Sequence, residues 1–81
     1  MSIRVLFFAS LADITGIQEA TLDAAEFSDI DSILSRFASE HPELRARRST
    51  ILFALNSEFA HPESKVKDGD EIAFFPPVSG G

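Results

Sequence analysis

Ile30-Asp31-Ser32-Ile33-Leu34-Ser35-Arg36-Phe37-Ala38 is the stretch on which the fold turns. Ile30, Ile33, Leu34, Phe37 and Ala38 recur at i, i+3, i+4, i+7 and i+8, so they share one stripe of an α-helix. Ser28 followed by Asp31 resembles a capping box with Asp in the acidic place, and Asp29 adds negative charge near the helix N-terminus. Pro42 stops this helix or opens a short second one through Arg47.

Strand patterns flank the helix on both sides. Upstream, Ile3, Val5 and Phe7 alternate with Arg4, Leu6 and Phe8, the period of two that marks a first strand. Residues 10–15 predict a short turn of helix ended by Gly16, and residues 17–22 alternate again, giving a hairpin with a long connection. Downstream, residues 50–55 are β-branched and apolar, which predicts a strand buried on both faces. Asn56-Ser57 is a turn signal and residues 58–60 a short return strand. Lys67-Asp68-Gly69-Asp70 is a turn in which Gly69 is free to take positive φ. Residues 71–75 form the last strand, closed by Pro76-Pro77, which cannot donate to a ladder.

The order ββαββ predicts an α+β fold of the β-grasp kind, a mixed sheet of about five strands with one main helix packed across it. In that arrangement the first and last strands are parallel neighbours. Residues 1–75 make the β-grasp domain, and residues 76–81 an extended tail ending in Gly-Gly. With 81 residues there is material for one core and no more.

Several function classes fall away. Without cysteine there is no disulfide, thiol catalysis or Cys-based metal site. A net charge of −6 disfavours nucleic acid, which rewards phosphate neutralisation, and suits a basic protein partner instead. The basic cluster Arg45, Arg47 and Arg48 reads first as a solvated helix end, where cations complement the dipole, and second as a binding patch. His41 and His61 each sit beside a proline with no second ligand at helical spacing, and read as surface histidines. Asp68-Gly69-Asp70 lacks the further oxygens of a calcium loop. No Gly-rich loop precedes a helix, so no phosphate cradle is evident; neither a metal nor a bound cofactor is expected. The early apolar run at residues 5–9 is too short for a leader or a membrane span, which points to the cytoplasm and away from any membrane. The chain is not expected to be an enzyme by itself.

The unusual feature is the end, Pro76-Pro77-Val78-Ser79-Gly80-Gly81. Two prolines favour an extended, semi-rigid arm, and six residues span roughly 20 Å. Two glycines then leave a tip without side chains, able to thread a narrow channel. That shape suits delivery of a carboxylate, the one on Gly81, into another protein's active site, although a frayed tail would also fit. Strand alternation puts Leu6 and Phe8 on the face away from the helix together with Phe75. Parallel pairing would bring Phe8 and Phe75 together where the tail departs, and exposed aromatics grouped there suggest a partner interface.

The run Lys67-Asp68-Gly69-Asp70-Glu71-Ile72-Ala73-Phe74-Phe75-Pro76-Pro77-Val78-Ser79-Gly80-Gly81 resembles the C-terminal signature of the small, sulfur-carrying subunits of molybdopterin synthase. The opening Ile3-Arg4-Val5-Leu6-Phe7-Phe8-Ala9 and the Leu55-Asn56 turn are similar to that family too. The middle of the chain, residues 18–49, matches only in pattern, and Phe59 departs from it by being large on a short edge strand.

The resemblance implies a ubiquitin-like β-grasp fold and a sulfur carrier. A ubiquitin-activating-like adenylating enzyme would use ATP to activate the Gly81 carboxylate, and a sulfur donor would convert it to a thiocarboxylate. The large synthase subunit would receive the tail within a heterotetramer, where two carriers supply the dithiolene sulfurs of molybdopterin from cyclic pyranopterin monophosphate. Gly80 keeps the tip slim, Ser79, Val78, Pro77 and Pro76 carry it, and Phe8, Phe75, Phe59 and Leu6 would meet the partner. The thiamine-pathway sulfur carriers share the fold and the Gly-Gly end. A non-catalytic ubiquitin-like binding module and protein conjugation through Gly81 compete with both carrier readings.

Overall fold

The structure is a computed structural model that describes residues 1–77. The strands are β1 (Ser2–Phe7), β2 (Glu19–Asp23), β3 (Leu52–Leu55), β4 (Glu58–Ala60) and β5 (Glu71–Phe75). The helices are α1 (Ser10–Thr15), α2 (Ile30–Glu40) and α3 (Pro42–Ala46). The strands form one mixed sheet in the order β2-β1-β5-β3-β4. β1 runs parallel to β5, and the other pairs are antiparallel. This is the β-grasp arrangement.

The apolar stripe of α2 does what its spacing predicts. Ile30, Ile33, Leu34, Phe37 and Ala38 are all buried, in one core with Ile3, Val5, Phe7, Phe53, Ile72 and Phe74. Four phenylalanines join the two layers. Phe7 meets Phe37 edge-on at 5.0 Å and Phe74 at 5.4 Å, and Phe74 meets Phe53 edge-on at 5.6 Å. Such edge-to-face pairs add about 0.5–1.5 kcal/mol each beyond area burial. α1 and α3 lie on the same side through Leu11 and Leu44, so among the described residues the other sheet face carries no helix.

Three local readings need correction. The N-cap of α2 is Asp29, not Ser28: its carboxylate accepts from the Ser32 backbone N–H at 2.8 Å, and the Ser32 hydroxyl faces the Asp29 N–H in return. Asp31 instead pairs with Arg48. The third strand starts at Leu52, because Arg48–Thr50 makes a tight 3₁₀ turn held by the Thr50 hydroxyl donating to the Arg47 carbonyl at 2.8 Å. Nor is that strand buried on both faces: Phe53 is buried, whereas Leu52 and Ala54 lie on the helix-free face and are half-buried. Gly16 closes α1 at φ 71° and Gly69 turns at φ 89°, where a side chain would be strained.

Candidate functional site

β5 carries the tail, so the placement of β5 decides what the tail can do. It lies third of five strands, hydrogen-bonded on both sides. Its start is fastened by a polar lock. Asp70, only 5% exposed, accepts from the Lys67 backbone N–H at 2.8 Å and from the Asn56 amide nitrogen at 3.0 Å. The Asn56 side-chain oxygen accepts from Glu71 N–H at 3.0 Å, and the Asn56 N–H donates to the Glu71 carbonyl at 2.8 Å. Asn56 and Ser57 both take positive φ, 51° and 72°, as a tight two-residue hairpin requires. The turn that joins β3 to β4 therefore also fixes where β5 begins, and with it the position of Phe75.

The helix-free face is ordered along the strands. At the start of β5, Arg4 bridges Glu19 at 2.9 Å and Glu71 at 3.1 Å, a charged strip across three strands. Both pairs are about half exposed, so each adds at most about 1 kcal/mol. One step toward the tail, the register lines up Glu19, Leu6, Ala73, Ala54 and Phe59 across all five strands. The two alanines make a shallow floor between Leu6 and Phe59.

The next row holds Phe75, paired with Leu52, and Phe8, whose N–H donates to the Phe74 carbonyl at 3.1 Å. Phe8 is 46% exposed and Phe59 82% exposed. The ring partner of Phe75 is Phe59, at 6.0 Å. The face is thus ionic where β5 starts and apolar where it ends, and the chain leaves the apolar end through half-buried Pro76 and exposed Pro77. Residues 78–81, including the Gly80-Gly81 tip, lie outside the described residues.

The acidic pair flanking Gly69 serves structure. Asp68-Gly69-Asp70 is a turn: Asp70 N–H donates to the Lys67 carbonyl at 3.1 Å, and Asp68 accepts from Ser2 N–H at 2.6 Å. Among the described residues no three His, Asp or Glu side chains gather as a metal site. No described helix is long and apolar enough to cross a membrane.

A β-grasp sheet whose central strand runs straight into a Pro-Pro stalk and a Gly-Gly end has known relatives. Residues 5–81 match the ThiS family. The chain belongs to the ThiS family. This ThiS-family chain is 39% identical over 83 residues to the molybdopterin synthase sulfur carrier subunit of Chlamydomonas reinhardtii, with 100% of both chains covered. The solved structure of SAMP1 from Haloferax volcanii resembles it at a TM-score of 0.82 and 30% identity, covering 100% of each chain. A structure described as a protein–protein complex of subunits 1 and 2 of molybdopterin-converting factor from Helicobacter pylori 26695 matches at a TM-score of 0.68 and 26% identity. It too covers 100% of both chains.

Sequence reasoning placed Leu6, Phe8 and Phe75 on one face, and the structure adds Phe59, whose ring lies 6.0 Å from that of Phe75. It missed the Asn56–Asp70 lock and the Ala54–Ala73 floor. The register of β3 against β5 would have revealed the floor, since Ala54 and Ala73 are direct partners.

Proposed function

We propose that this chain is the sulfur-carrier subunit of a molybdopterin synthase, a non-catalytic subunit whose reactive group is the carboxylate of Gly81. The observation that carries the proposal is the exit of β5. A strand held on both sides ends at the apolar border of the helix-free sheet face and leads into Pro76-Pro77, which Val78-Ser79-Gly80-Gly81 follow in sequence. The name of the Chlamydomonas reinhardtii relative supports the reading.

The chemistry follows from a carboxylate being a poor acyl donor. In the adenylating enzyme, a Gly81 carboxylate oxygen attacks the α-phosphorus of ATP and releases pyrophosphate. A sulfide-level donor then adds to the acyl carbon and expels AMP, leaving a thiocarboxylate. The chain's own part in these steps is to bind, present and withdraw the tip. Sulfur then passes to the pterin precursor in the large subunit, and two carriers serve the two dithiolene sulfurs. The Helicobacter pylori complex supports a large-subunit partner for this chain. The family match alone fits a thiamine-pathway carrier as well, and the relatives' names favour the molybdopterin branch.

Deleting Gly81, or appending one residue to it, should abolish sulfur loading while leaving the melting temperature unchanged, because the buried core runs from Ile3 to Phe74 and is untouched by the change. Intact-mass analysis with the adenylating enzyme, ATP and a sulfide donor reads the exchange of oxygen for sulfur as a gain of about 16 Da, the mass difference of the two atoms. Molybdopterin formation by the extended variant would overturn the proposal.

A further inference from the structure

Beside the tail exit the acidic chain has a basic cleft. It measures about 660 Å³ and opens where the edge strand β4 meets the corner that follows α3. Arg45, Arg48 and His61 border it, over an apolar floor that includes Ile51, Leu52 and Phe59. The described residues include all 13 Asp and Glu of the chain, and none of them lines the cleft. In a protein of net charge −6 this is a local inversion of sign.

The cleft is continuous with the apolar end of the sheet face. Leu52 is the register partner of Phe75, and the Phe59 ring lies 6.0 Å from that of Phe75. Its cations differ in how committed they are. Arg48 is tied to Asp31 and donates to the Ser35 hydroxyl at 2.9 Å, and neighbouring Arg47 pairs with Glu43 outside the cleft. Arg45 stands exposed on the cleft wall. The reading of the three arginines as a solvated helix end therefore holds for Arg45, exposed in the last turn of α3, and for exposed Arg47, and not for half-buried Arg48.

We propose that this cleft is the second half of the docking surface and receives an acidic segment of the large subunit, carrying an apolar side chain toward Ile51 and Phe59. The inference rests on the carrier reading for its partner. Charge complementarity decides the occupant. A segment bearing Asp or Glu meets Arg45 and His61 on a cleft lined by no Asp or Glu side chain, whereas the acidic body as a whole would repel it. The bipartite surface divides the work: the apolar face sets how long the partner stays, and the cleft sets how fast and in which orientation it arrives.

The test is stopped-flow association of the unmodified full-length chain with the large subunit across ionic strength. Arg45→Glu, and separately Ser49→Glu, place a carboxylate in the cleft without touching its ties to Asp31 and Ser35. Each should lower the association rate constant roughly tenfold at low salt and flatten its salt dependence. Arg36→Glu makes the same charge change on the outer face of α2 and should alter the rate by no more than about threefold. Thermal melts confirm that all three fold.

Equal losses from Arg36→Glu and Arg45→Glu would reduce the effect to net charge and overturn the cleft. So would unchanged rates in both cleft variants. Saturable binding of inorganic phosphate or AMP at Arg45, with unchanged partner association, would make it an anion site and overturn the assignment. Sulfur loading is not needed for the measurement, so a chain that docks through the cleft but takes no sulfur on Gly81 supports the cleft and refutes the carrier reading alone.

Discussion

Phe7→Ala and Phe8→Ala change neighbouring residues that should fail in opposite ways. Phe7 is 3% exposed and sits between Phe37 and Phe74, at 5.0 and 5.4 Å. Removing such a ring costs about 3–5 kcal/mol in lost transfer energy and cavity. A domain of this size holds only about 4–12 kcal/mol in all, so about a quarter of the stability or more goes. With a urea m-value of about 1 kcal/mol/M the midpoint should fall by about 3–5 M, and the chain should soften visibly on warming. Phe8 is 46% exposed and contributes less than about 1 kcal/mol to folding. Burying its remaining half in a partner is worth about 1 kcal/mol, roughly fivefold in Kd. Phe59, 82% exposed, should count for more, about 1.5–2.5 kcal/mol or at least tenfold. The assays are urea melts by circular dichroism and titration against the large subunit. A melt of Phe8→Ala matching that of Phe7→Ala would reverse the facing assignment. Normal binding by both Phe8→Ala and Phe59→Ala would refute the apolar face as the docking surface.

Other perturbations follow from the same geometry. Asp70→Ala strips partners from the Lys67 N–H and the Asn56 amide, and should cost about 1–3 kcal/mol in a denaturant melt; a neutral result would show that the lock is not buried in solution. Ala9 leaves β1 at φ 52° and ψ −130°, where only glycine is relaxed, so Ala9→Gly should raise stability by about 1 kcal/mol and Tm by about 4–8 °C. A lowered Tm would refute that strain. Ala73→Phe fills the floor between Leu6 and Ala54 and should leave the melt within about 1 kcal/mol while weakening large-subunit binding at least tenfold. Tight binding by that variant would mean the floor is not approached.

Much of the fold was legible in the chain because period alone reports facing. Ile30, Ile33, Leu34, Phe37 and Ala38 needed no partner to declare a helix face, and Ile3, Val5 and Phe7 declared a strand face in the same way. What stayed hidden depended on partners. Asn56 and Asp70 are 14 residues apart, and only the β3–β5 register makes them neighbours. Ala54 and Ala73 are unremarkable until the same register sets them side by side. The start of the third strand is misleading in sequence because Thr50 and Ile51 have strand-like side chains, while the descent from α3 requires a tight turn at Arg48–Thr50. The cap shifts by one residue because Ser28 and Asp29 are both capable caps, and backbone geometry alone chooses between them.

A tail that must deliver a group into another protein faces opposed demands. Its tip has to be bare, yet its root has to be fixed, since an error at the root is carried to the far end. A strand at the edge of the sheet would supply a poor root, because one ladder of hydrogen bonds holds it and strand ends fray. β5 is instead held by β1 on one side and β3 on the other, with Ile72 and Phe74 fully buried beneath it. Letting β5 slip by one residue would turn both of those side chains out to the open face and Ala73 and Phe75 into the core. Slipping by two would keep the facing but move the tail by about 7 Å. The hydrophobic pattern forbids the first slip and is indifferent to the second. The Asn56–Asp70 lock discriminates against the second, since a two-residue shift separates Asn56 from both Asp70 and the Glu71 N–H. Burial therefore sets which face of β5 looks outward, and the lock sets how far along the sheet the tail begins.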